Sequence, residues 1–174
     1  GRAARWVLLL RDPMSVALSM AAGGLDVDVA GVASPEELRS RVRSAPTWAI
    51  DSWLEHDVLA SLGWSPFAMA FDADRGWAET PFRHGHVLVM RTDIPDNAKS
   101  EALSRFLARP VRVGRGNGSA EHGKAGGHRD LRHALASEPG VVEAALSTAA
   151  ARHFWSDAQR AGMRDRWLPG RNAA

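Results

Sequence analysis

The chain has 174 residues, 45% of them hydrophobic and 24% charged, with a formal net charge of +2; these are ordinary globular values, and the length suits one domain with a real core. Cysteine is absent, which excludes disulfides, zinc-thiolate sites and cysteine nucleophiles and fits a cytoplasmic protein. The basic residues are almost all arginine, with lysine only at Lys99 and Lys124; guanidinium forks suit phosphate, sulfate and carboxylate, whereas the near balance of charge and the lack of a basic stripe interleaved with aromatics speak against a nucleic-acid-binding module.

Trp6-Val-Leu-Leu-Leu10 reads as a buried strand closed by Arg11-Asp12-Pro13, because proline cannot continue a ladder. The run is far shorter than the about 18 residues of a membrane span, and Arg11 and Asp12 cut it too soon for a signal peptide. Met14–Ala22 then reads as a helix, with Asp12 available as a cap and Gly23-Gly24 as its stop. Ser34-Pro-Glu-Glu37 is a capping box that starts a helix reaching about Arg43. A second helix is predicted from Thr47 to Leu62, with Ile50, Trp53, Leu54 and Val58 on one face and Gly63 at its end.

Further on, Phe67 to Glu79 reads as a hairpin around Asp72-Ala-Asp-Arg-Gly76, and His86–Met90 as a second buried strand ended by Arg91-Thr-Asp93. A helix starting near Asn97 has Ala102, Leu103, Phe106 and Leu107 on its apolar face and stops at Pro110. Gly114–Gly127 is Gly-rich and polar. Helices follow at His128–Ala136, Val141–Ala150 and Ser156–Trp167, and 169–174 reads as a flexible tail after a single domain over 1–168. Two buried strands separated by helices imply an α/β fold with a short, mostly parallel sheet flanked by several helices. The chain begins with Gly1 and enters a strand almost at once, so it reads as a fragment, with apolar surface expected where further strands would pack.

The segment Arg11-Asp-Pro-Met-Ser-Val-Ala-Leu-Ser19 places an arginine at a strand's end and a serine about two helical turns on. It resembles the segment with which sulfotransferases hold the 3′-phosphate of 3′-phosphoadenosine 5′-phosphosulfate (PAPS). Other segments are similar, in order, to the bacterial capsular-polysaccharide-synthesis proteins of that group. They are Ile50-Asp51-Ser-Trp53-Leu-Glu55, Ser65-Pro-Phe67 with Phe71-Asp72…Gly76-Trp77, Val87–Asp93, Ala102–Leu107, Asn117 with Lys124, and Ala151-Arg-His-Phe-Trp-Ser156 with Arg164-Asp-Arg-Trp167.

The resemblance implies a partial P-loop-type sulfotransferase fold and transfer from PAPS to a polysaccharide or glycan acceptor. It also implies PAPS as cofactor with no metal, and Arg11, Ser19 and Lys124 as its binding residues. The sequence departs from the family in lacking tyrosine, including around Lys124, and in lacking the N-terminal loop that holds the phosphosulfate. No catalytic residue is therefore named, and a non-catalytic domain with a structural or binding role is the alternative.

Among other residues, His84 and His86 share a strand face but lack a third ligand. His122, His128 and His133 read as solvated, and His153 as locally packed. Trp64 and Trp77 read as packing residues that could also stack on a sugar ring, and Arg112 and Arg115 as able to face an anion.

Overall fold

An apolar run that meets Pro13 cannot extend as a strand, and it does not. In the computed structural model, which describes residues 4–22, 34–114 and 125–168 (side chains from 129 in the last stretch), β1 (Ala4–Leu10) gives way across Arg11 and Asp12 to α1 (Pro13–Ala22). The described residues form an α/β structure with a three-stranded sheet in the order β1-β3-β2. β3 (Gly85–Arg91) lies parallel to β1, with Leu10 opposite Arg91. β2 (Trp77–Phe82) lies antiparallel to β3, with Trp77 opposite Met90.

The sheet is thus mixed rather than mostly parallel. The hairpin lies later than the turn residues 72–76 suggest, because those residues close a loop before β2 instead of joining two strands. The Asp72 carboxylate accepts from the backbone of Asp74 and Arg75, and Gly76 N–H donates to the Asp72 carbonyl. Gly76 has φ +75°, and a Cβ there would collide with Ile94 Cγ2, so the turn requires glycine.

The chain divides into two compact units. The first comprises the described parts of 1–12, 49–114 and 149–156. It holds the sheet, α3 (Ala49–Ser52), a π-helical turn (Trp53–Val58), α4 (Leu59–Leu62), a 3₁₀ turn (Pro66–Ala68) and α5 (Asp96–Leu107). Leu88 and Met90 of β3 pack with Trp77, Ile94 and the Ala102 and Phe106 face of α5. Val87 and Val89, on the opposite face of the strand, are fully buried as well. The predicted Thr47–Leu62 helix is therefore interrupted by a π turn, and it ends as expected at Gly63, φ 61°. After α5 the chain folds back over its helix: Ser104 and Ser100 accept from the N–H groups of Val111 and Val113.

The second unit comprises the described parts of 13–48, 115–148 and 157–174. In it α1 packs on α2 (Pro35–Ser44), α6 (Ala125–Ala136) and α7 (Pro139–Leu146), and α9 (Asp157–Trp167) packs on α7. Ser34 caps α2 by accepting from Glu37 N–H at 3.2 Å, with Pro35 in the first turn, so the capping box forms as its residues dictate. Arg164 holds Glu143 with two hydrogen bonds of 2.6 and 2.8 Å, and Arg132 lies over the Trp167 ring at 4.7 Å.

The predicted Val141–Ala150 helix is two: α7 ends at Leu146 and α8 (Ala149–Phe154), in the first unit, begins after Ser147-Thr148. The hydroxyl of Thr148 donates to the Ala145 carbonyl across the break. This local bond competes with helix continuation.

β1 departs from expectation in burial. Leu8 and Leu10 are buried, but Trp6, Val7 and Leu9 are 47%, 41% and 53% exposed, because β1 lies at an edge of the sheet, with one neighbouring strand among the described residues. No helix among the described residues is long and apolar enough to cross a membrane.

Candidate functional site

Parallel strands gather ligands at their carboxyl ends. At that end of β1, Arg11 is exposed. Ser19 is an exposed residue of α1, in the other unit. Lys124 lies outside the described residues, as do Asn117, His122 and Arg115.

The corresponding end of β3 is built differently. Arg91 is only 5% exposed. Its Nε donates to Asp93 at 2.9 Å, and one terminal nitrogen donates to the carbonyls of Ala73 and Phe154 at 2.9 and 3.1 Å. The guanidinium also lies 5.3 Å from the Trp155 ring centroid, and Trp155 Nε1–H donates to the second Asp93 oxygen at 3.0 Å. These groups join the turn after β3, the loop before β2 and the end of α8. A buried guanidinium needs such partners.

Asp51 has a related task. Its two oxygens accept from the N–H groups of Ala149 and Ala150 at 2.7 and 2.8 Å. A carboxylate 98 residues upstream in sequence thus caps α8. So Asp51, Arg91, Asp93 and Trp155, which stand in the segments that carry the resemblance, bind this unit to itself.

Beside the capped start of α8 lies an open pocket of about 570 Å³ in the first unit, lined by Glu55, Leu59, Ser65, Phe67, Ala149, Arg152 and His153. The π turn forms part of one wall. Its extra residue re-aims the side chains that follow, so the placement of Glu55 and Leu59 cannot be read from a regular helical wheel. Nothing among the described residues pairs with the Glu55 carboxylate. The Ser65 oxygen accepts from Phe67 N–H at 3.3 Å, which leaves the serine's own proton to donate.

His153 packs edge-on against Phe67, with ring centroids 5.6 Å apart, and against Phe154 at 4.6 Å. Burial lowers its pKa from the ordinary 6.5; the carbonyls of Met69 and Pro66 oppose that shift without cancelling it. The lowered pKa favours the neutral imidazole, and its buried Nε2 has no hydrogen-bond partner among the described residues.

The remaining candidates resolve simply. Trp77 is a core residue, 3% exposed, with Arg75 and Arg105 over its ring, so it cannot also stack on a sugar. Trp64 is half-buried and packs near Phe82 at 6.5 Å. His84 lies in the β2–β3 turn against Phe82, and His86 is exposed on β3. Arg112 is exposed in the segment after α5, which pairs in no sheet among the described residues. No group of three or more His, Asp or Glu among the described residues is disposed to hold a metal ion.

The pocket is what the sequence reading missed as a site. Glu55 and His153 stand in quoted segments, but nothing in their spacing brings them to one cavity. No family model matches the chain, and no curated protein or solved structure is significantly similar to it.

Proposed function

We propose that this chain carries the nucleotide-binding segment of a PAPS-dependent sulfotransferase that acts on a polysaccharide or glycan acceptor. One observation carries the reading: Arg11 stands exposed at the carboxyl end of a strand parallel to its neighbour, and a helix begins two residues later at Pro13. An exposed guanidinium at the carboxyl end of a strand suits a phosphate dianion, with the fork supplying paired donors. In this reading Ser19 adds a hydroxyl and Lys124 a second cation. All three bind the nucleotide and none moves a proton. The finer fold, a partial P-loop-type sulfotransferase, belongs to the same proposal.

A specific observation favours a second reading, a non-catalytic relative with a structural or binding role. Asp51, Arg91, Asp93 and Trp155 are engaged within the chain, so the likeness beyond Arg11–Ser19 supports a shared scaffold more than a shared chemistry.

Calorimetric titration of adenosine 3′,5′-bisphosphate into the chain and into Arg11→Ala and Ser19→Ala separates the two. The transferase reading expects binding, weakened about tenfold or more in Arg11→Ala and less in Ser19→Ala, with melting temperatures unchanged. Failure of the folded chain to bind, or equal affinity in both variants, would sink it and leave the scaffold reading.

A further inference from the structure

The pocket between the π turn and α8 has a composition that selects among ligands. It carries one carboxylate, Glu55, one guanidinium, Arg152, and the hydroxyl of Ser65, with His153 neutral beside them. The lining has no net charge, so neither an anion nor a cation is favoured by the local field. The rest of the wall is apolar: Leu59, 42% exposed, the half-buried ring of Phe67, and Ala149. The volume of about 570 Å³ falls within the roughly 300–1,000 Å³ usual for small-molecule sites.

We infer that this pocket binds a neutral pyranose ring. A pyranose has C–H faces that lie on an apolar wall and a rim of hydroxyls that both donate and accept. The Glu55 carboxylate would take two ring hydroxyls as donors. The guanidinium of Arg152 would donate to ring oxygens, and the Ser65 proton would find an acceptor. A purely apolar ligand would desolvate Glu55 without replacing its water. A uronate would bring a second negative charge beside Glu55.

The inference does not depend on the nucleotide reading, because none of these residues belongs to Arg11–Ser19. A chain that fails to bind adenosine 3′,5′-bisphosphate can still take the sugar, and the reverse holds too.

The test is a ¹H–¹⁵N correlation titration of the whole chain with methyl β-glucopyranoside, methyl β-galactopyranoside and methyl α-mannopyranoside, with glucuronate and cyclohexanol as comparisons. At least one neutral pyranoside is expected to give saturable shifts centred on the amides of Ser65, Phe67, Ala149, Arg152 and His153, with glucuronate and cyclohexanol weaker. Glu55→Gln keeps the volume and removes the charge, and it should weaken the preferred sugar about tenfold. Glu55 is exposed and pairs with nothing among the described residues, so this variant should melt like the parent chain. Absence of saturable shifts with all three pyranosides, tighter binding of glucuronate or cyclohexanol, shifts centred elsewhere, or equal affinity in Glu55→Gln would each overturn the inference.

Discussion

Arg11 and Arg91 stand at the carboxyl ends of two parallel, neighbouring strands, and each follows an apolar run and precedes an aspartate by one or two residues. Arg91 is buried and bonded to Asp93, Ala73 and Phe154, while Arg11 is exposed and has no partner among the described residues. The difference comes from position. Among the described residues β3 lies in the middle of the sheet, and chain converges on its end from the loop before β2 and from α8, whereas β1 lies at an edge. The same side chain is a structural tie in one place and a candidate ligand donor in the other.

The sharpest way to break the comparison is to remove each arginine in turn. Arg91→Ala removes the guanidinium that donates to Asp93 and to the carbonyls of Ala73 and Phe154, and removing one partner of a buried pair costs about 3–5 kcal/mol. Because Asp93 is partly exposed, the lower end is expected, seen as a marked fall in the urea midpoint at unchanged slope. Arg11→Ala should leave that midpoint in place. Equal losses in the two variants would mean that Arg11 also serves the fold.

Asp51→Ala tests the other tie. It frees the two N–H groups at the start of α8, and loss of a cap costs about 0.5–2 kcal/mol. A double variant with Trp155→Phe should lose roughly the sum of the two single losses if the cap and the Asp93 contact act independently. Trp155→Phe alone removes one donor to a charged acceptor, for about 1.5–3 kcal/mol, and the smaller ring leaves space in a buried site, which adds to the loss.

The smallest effect is expected at His153. Its folded-state pKa is lowered, so the unfolded chain takes up the proton first as pH falls. The stability this represents is fully present above the ordinary value of 6.5 and is lost as pH falls below it toward the lowered folded-state pKa. Urea midpoints measured from pH 7.5 to 5 should therefore fall less steeply in His153→Asn than in the parent chain. A parallel pair of curves would show that the imidazole titrates as it does in water.

Much of the local structure is legible in the sequence because it is decided within a few residues. Pro13, the Ser34-Pro35 cap and Gly63 act through backbone geometry and neighbouring hydrogen bonds, so each ends or starts its element as read. The parallel pairing of β1 with β3 also follows, since two apolar runs with helices between them have few other arrangements. The site is less legible. The carboxylate that caps the start of α8 comes from Asp51, 98 residues upstream, and no local pattern announces that pairing or the π turn.

By itself the sequence determined the α/β class, the exclusion of thiol chemistry and the segment Arg11–Ser19 as the candidate for an anion. Only the tertiary structure decided which polar side chains remain available to a ligand. Burial and hydrogen bonding are properties of the neighbours a residue acquires on folding: Arg91 and Asp51 are satisfied by backbone groups 63 and about 98 residues away, and Glu55 and His153 meet at one pocket because α8 is held there.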